Sequence, residues 1–112
     1  MIHWTVLPGI ADYLPDYAAA GIIKQVCAHY KIKEIDLLSK SRSQPLPEAR
    51  FVCFFMMRKF LQYPYDRIGS YFKRDHATVI WGVRQVESWL ENNRQFIIDN
   101  KEFIESWEKH IL

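Results

Sequence analysis

The sequence predicts an all-α protein, a helical bundle, on three observations. Apolar residues recur at three- and four-residue steps in several separate segments, the period of helices with one buried face. No segment alternates apolar and polar residues for the length of a strand. Prolines and paired asparagines fall at the edges of the periodic segments, at Pro45, Pro47, Pro64 and Asn92-Asn93.

Taken in order, residues 1–15 hold Trp4, Pro8-Gly9 and Pro15 without a sustained period, and read as an apolar N-terminal arm. A single helical domain is expected over residues 16–112. From Asp16, Ala19, Ile22, Ile23, Val26, Cys27 and Tyr30 mark a core helix that Lys31-Ile32-Lys33 closes. Glu34 to Leu38 has room for one or two turns, expected to pack Ile35 and Leu38 inward. Three serines and two prolines make residues 39–47 a flexible loop. Pro47 suits the first position of the next helix. There Ala49, Val52, Cys53, Met56 and Phe60 form one face, widened by Phe51, Phe54, Phe55 and Met57, as expected of the central helix.

Tyr63-Pro64 ends that helix and opens a short one, with Ile68 and Phe72 four residues apart. A brief basic connection, Lys73-Arg74, leads to Asp75, a good N-cap for a helix whose stripe is Val79, Val83, Val86 and Leu90. After Asn92-Asn93, Phe96, Ile97, Phe103, Ile104, Trp107 and Ile111 mark an additional C-terminal helix over about residues 96–112.

At 112 residues, 49% hydrophobic and 15% aromatic, the chain suits one domain with one core and excludes a disordered tail. No apolar run approaches the roughly 20 residues of a membrane span, and the start Met1-Ile2-His3-Trp4-Thr5 lacks a signal-peptide pattern, so a cytoplasmic protein without a membrane partner is expected. Cys27 and Cys53 sit in apolar helical patterns and read as buried thiols. The four histidines lack ligand spacing, so no metal site is expected. The glycines form no phosphate-binding loop, which leaves no recognisable cofactor or small-molecule site. Asp75, His76 and Thr78 do not form a catalytic relay, because adjacent residues at a helix start point about 100° apart. A non-enzyme is expected.

The net charge of +2 conceals an uneven distribution. Residues 39–84 carry nine basic and three acidic side chains, whereas residues 85–112 carry three and six. The basic segment contains the Asp75 turn, an electrostatic footprint for a polyanion. A helix that follows another short helix, with His76, Ala77 and Thr78 in its first turn, is where a helix-turn-helix protein places base-reading side chains. Those residues suit the acceptors and thymine methyls of the major groove. Arg42, on the loop, suits an A·T-rich minor groove, whose negative potential attracts a guanidinium. Lys40, Arg50, Arg58, Lys59, Arg67, Lys73, Arg74 and Arg84 are candidate phosphate contacts.

The runs Tyr30-Lys31-Ile32-Lys33, Asp36-Leu37-Leu38-Ser39-Lys40-Ser41-Arg42-Ser43, Ile68-Gly69 with Phe72, and Arg74-Asp75-His76-Ala77-Thr78-Val79 with Val86-Glu87 resemble the C-terminal DNA-binding domain of the bacterial replication initiator DnaA. The resemblance covers about residues 20–95. It implies a Trp-repressor-like helical bundle with a helix-turn-helix, binding a duplex site of the DnaA-box type. It implies base reading by Asp75, His76 and Ala77, minor-groove insertion by Arg42, and positive positions at Lys40, Arg50 and Arg74. Three departures stand out: Ala77 replaces the usual Thr or Ser, the single Lys73 replaces Gly-Gly, and Glu48 and Phe51 dilute the basic start of the central helix.

The expected function is that of a stand-alone, sequence-specific double-stranded DNA-binding protein, acting in replication or transcription control without ATPase activity, with host replication proteins as further candidate partners. Its DNA-binding residues are Lys40, Arg42, Arg50, Lys73, Arg74, Asp75, His76, Ala77 and Thr78. The rival is a protein-interaction adaptor or dimerising scaffold that uses Trp4, Trp89, Phe103 and Trp107, against the simpler reading of these aromatics as core packing. RNA binding ranks below both, because the deep, narrow A-form major groove does not admit a recognition helix.

Overall fold

A computed structural model describes residues 16–111, and the side chains of residues 16–108. The arm expected over residues 1–15, and the side chains of His110 and Ile111, lie outside the described residues. The described chain forms six helices and no strand: α1 Tyr17–Tyr30, α2 Glu34–Leu37, α3 Leu46–Leu61, α4 Tyr65–Phe72, α5 His76–Asn92 and α6 Arg94–Ile111. No described helix is long and apolar enough to cross a membrane.

α1 begins where the Asp16 carboxylate accepts from the backbone N–H of Ala19 at 3.0 Å, and ends where Lys31 turns left-handed at φ 57°. Its apolar stripe is buried as the periodicity requires, from Ala19 to Cys27. α2 is a single turn, and its inward residue differs from the expected pair. Leu37 is fully buried, while Ile35 is 76% and Leu38 41% exposed. Residues two apart in a helix differ by about 200°, so a turn that points Leu37 at α3 points Ile35 at solvent. Ile32, ahead of the helix, supplies the second apolar contact with the core.

α3 starts at Leu46, one residue before Pro47, and runs through the middle of the bundle, touching every other helix. Ala49, Val52, Cys53, Phe54, Met56 and Met57 are buried on nearly all sides, which is why a single-stripe pattern broadens there. Both cysteines are free, buried thiols. α5 crosses α3 closely at Gly82, where a Cβ would come within 2.6 Å of the Phe51 ring and 2.8 Å of the Phe54 ring.

α6 starts at Arg94, slightly ahead of the expected position, because Asn93 serves two helices. Its N–H donates to Trp89 O at the end of α5, and its Oδ1 accepts from Phe96 N at the start of α6. α6 packs Phe96 and Ile104 into the core, Trp107 beside Phe60, and Phe103 face to face with His29 at 4.1 Å. Asn100 is buried, bonding His29 Nε2 at 2.9 Å and donating to Phe96 O. Trp89, Phe103 and Trp107 therefore pack partly buried against the core.

At the other end, the Asp16 carboxylate gathers Tyr63 Oη and Arg67 Nη2, each at 2.9 Å, and Tyr71 Oη. The Arg67 guanidinium also lies 3.7 Å from the Tyr63 ring centre. Burial raises the Asp16 carboxyl, but its hydrogen bonds outweigh that and hold it below the usual carboxylate value. Burial together with Asp16 pushes the Tyr63 hydroxyl up to about 12. This cluster fastens the start of α1 to α4, the first helix of the helix-turn-helix.

Candidate nucleic-acid interface

α4 and α5 meet in a tight turn whose geometry depends on Gly69. Arg74 N donates to Gly69 O at 2.9 Å, and a Cβ on residue 69 would lie 2.2 Å from Arg74 O. Only glycine lets the chain fold back that closely. Lys73 caps α4 in the left-handed region at φ 54°, so a lysine takes the conformation that glycine favours. Asp75 then caps α5, accepting from Thr78 N at 2.9 Å, and that bond lowers its carboxyl below the usual value.

The loop before α3 is pinned rather than loose. Ser39 Oγ donates to Asp36 O at 2.6 Å, Ser41 N to Ser39 Oγ, and Ser43 N to Ser41 Oγ, a relay of side chains capping successive turns. Arg50 completes it from beneath. Its Nε donates to Leu37 O at 2.7 Å, Nη1 to Ser41 O at 2.6 Å, and Nη2 to Ser39 O at 2.7 Å and Asp36 O at 3.2 Å. Arg50 is only 5% exposed, so it is not the open phosphate contact expected from its charge; the loop's carbonyls occupy its guanidinium. Burial, with the Arg74 charge alongside, lowers the Arg50 pKa from the ordinary arginine value. Arg74 reaches the same loop, donating from Nη2 to Ser39 O at 3.2 Å and from Nη1 to Phe72 O at 2.6 Å. One carbonyl, that of Ser39, thus joins the loop, the central helix and the helix-turn-helix turn.

Together these elements line a concave groove of about 670 Å³. Lys40 and Arg42 line it from the loop, Arg50, Phe51 and Phe54 from α3, Lys73 and Arg74 from the turn, and Thr78 from α5. Five cations and no carboxylate face it. Ala77 is exposed beside it, at the tip of α5. His76 is exposed as well, but on the other flank, beside Arg58, Pro64, Tyr65 and Asp66. The remaining cations are scattered. Arg58 stacks on the Tyr65 ring, Lys59 lies over Phe55 and Phe60, Arg67 pairs with Asp16, and Arg84 is exposed on α5.

The profile of the bacterial dnaA protein helix-turn-helix matches residues 19–86, which span α1 to most of α5. The chain belongs to the bacterial DnaA helix-turn-helix family. Among curated proteins it is similar to the chromosomal replication initiator protein DnaA of Jannaschia sp., 29% identical over 79 residues that cover 70% of this chain and 17% of that protein. Chlamydia pneumoniae DnaA 1 is 36% identical, with 64% of this chain and 16% of the relative covered. Oleidesulfovibrio alaskensis DnaA is 38% identical over 67 residues, with 60% and 14% covered. The chain therefore spans less than a fifth of the length of these initiators. The DnaA-type helix-turn-helix is a DNA-binding domain, and the all-α fold expected from the sequence is the fold observed.

Sequence reasoning named Gly69 and Arg50 without the structural roles they hold here, and it did not single out Trp81. Gly69 reads as an isolated glycine until the turn closes over it. Arg50 reads as surface charge. Trp81, on α5, is 59% exposed and lies on the same helical face as Ala77 and Arg84, a placement that a helical wheel anchored on Val79, Val83 and Val86 would have revealed.

Proposed function

We propose that this chain binds double-stranded DNA at a DnaA-box-like sequence and acts by occupying that site, in replication or transcription control. The N-terminal turn of α5 enters the major groove, where His76, Ala77 and Thr78 meet base edges and thymine methyls. Asp75 sets that turn's geometry as its cap. Arg42 reaches from the loop into the adjacent minor groove. Lys40, Lys73 and Arg74 hold phosphates, while Arg50 acts as a positioning residue beneath the loop.

The observation that carries this reading is the carboxylate-free groove in which Lys40, Arg42, Lys73, Arg74 and Thr78 converge from three separate elements. Ordinary surface charge is interspersed with the opposite sign; a single-sign concavity beside a helix N-terminus suits a phosphate backbone.

The test is binding to a DnaA-box duplex and to a scrambled duplex at two salt concentrations. A preference of about a thousandfold or more for the box is expected. His76→Ala should erode that preference, whereas Lys40→Ala should weaken both duplexes alike and reduce the salt slope by about one. Equal, steeply salt-dependent binding of the parent to both duplexes would reject site-specific recognition.

A further inference from the structure

We propose that Trp81 is a second specificity-determining residue, making an apolar contact with the thymine side of the site beyond the bases met by the helix tip. This inference rests on the DNA-binding reading above. Trp81 is one of two tryptophans on α5, yet more than half of it is exposed, while Val79, Gly82, Val83 and Val86 are buried. With the buried stripe at one azimuth, Ala77, Trp81 and Arg84 fall on the opposite face, the face that a groove-inserted α5 turns toward the duplex. Among the described residues no packing explains the indole there: Trp81 is not one of the partly buried side chains packed against the core, unlike Trp89 and Trp107.

The sizes of the two outward residues suggest how the helix sits. Ala77 at the tip allows the backbone to come close to the bases, and Trp81 follows about 6 Å along the axis at 1.5 Å per residue. The major groove is about 12 Å wide and a helix with its side chains is about 10–12 Å across. A bulky indole on the leading face therefore does not fit alongside an axis-parallel helix. It fits when α5 tips in N-terminus first, with the indole laid flat against the groove floor, where the C5-methyl of thymine is the one apolar feature. Arg84, one turn on, is then placed near the phosphate wall.

The test pairs a substitution in the protein with one in the DNA. Trp81→Ala, an exposed site that should leave thermal stability near that of the parent, is titrated against the box and scrambled duplexes. Affinity for the box should fall about tenfold and affinity for the scrambled duplex by less than about twofold, in the range for one lost base contact. Thymines in the box are then replaced singly by deoxyuridine, which lacks only the methyl. One or two replacements should weaken the parent and leave Trp81→Ala unaffected. If the parent prefers the box but Trp81→Ala keeps that preference, or if both proteins respond identically to every deoxyuridine, the assignment of Trp81 is wrong while site-specific binding stands. If the parent shows no preference for the box, both proposals fail together.

Discussion

Arg50 shows how far a side chain's role departs from its charge. Its guanidinium makes four hydrogen bonds to the carbonyls of Asp36, Leu37, Ser39 and Ser41, an arrangement that needs a planar fork of donors. Arg50→Ala would strip these acceptors of their partner in a largely buried place. We expect a loss of about 2–4 kcal/mol, read as a clear fall in the thermal midpoint. Arg50→Lys should recover little, because one ammonium cannot satisfy acceptors spread over six residues. An unchanged midpoint in both variants would show that the serine relay holds the loop without it. The cap role of Asp75 was legible in the sequence, because capping is local and its partner sits three residues away. The role of Arg50 was not, because its acceptors become neighbours only after the loop folds over α3.

At the scale of elements, the six helices were legible wherever the apolar period ran for three turns or more, and α1, α3 and α5 keep the faces expected of them. Failure came where an element is too short to show a period. α2 is a single turn, so two registers were compatible with its sequence, and packing against α3 chose Leu37 over Ile35 and Leu38. The loop read as flexible from its serines and prolines, but those same hydroxyls cap its turns. The turn between α4 and α5 makes the sharpest demand on one residue. Gly69→Ala must move either the residue 69 backbone or the Arg74 carbonyl, both main-chain atoms, and should cost about 1–3 kcal/mol. Its effect on the DnaA-box duplex should exceed that of a surface alanine, since the turn positions Lys73, Arg74 and the start of α5. Denaturant unfolding alongside the duplex titration would check both, and a parent-like midpoint would mean that the turn relaxes without cost.

Across the whole molecule, the two ends of the bundle are fastened by different chemistry. α6 is tied on by aromatic stacking and the buried Asn100, while α1 is tied to α4 through the Asp16 carboxylate. The Asp16 carboxyl is depressed in the folded protein, so its contribution is present above the unfolded value of about 3.9 and is lost as the pH falls through the folded value. Asp75 behaves the same way. Stability should therefore decline below about pH 4, and Asp16→Asn should flatten part of that decline without abolishing it. Equal slopes in parent and variant, followed by unfolding as a function of pH, would remove Asp16 from this account.

The Ser39 carbonyl, held by Arg50 from one side and Arg74 from the other, has a consequence for the proposed DNA complex. It makes the loop and the start of α5 a caliper with its jaws locked. A minor-groove contact and a major-groove contact carried on one rigid frame measure the distance and the helical phase between two parts of a site. In the proposed mode of binding, a site for this chain is defined as much by its spacing as by its letters. One inserted base pair turns the far half by about a tenth of a helical turn, out of register with the frame that the Ser39 carbonyl ties together.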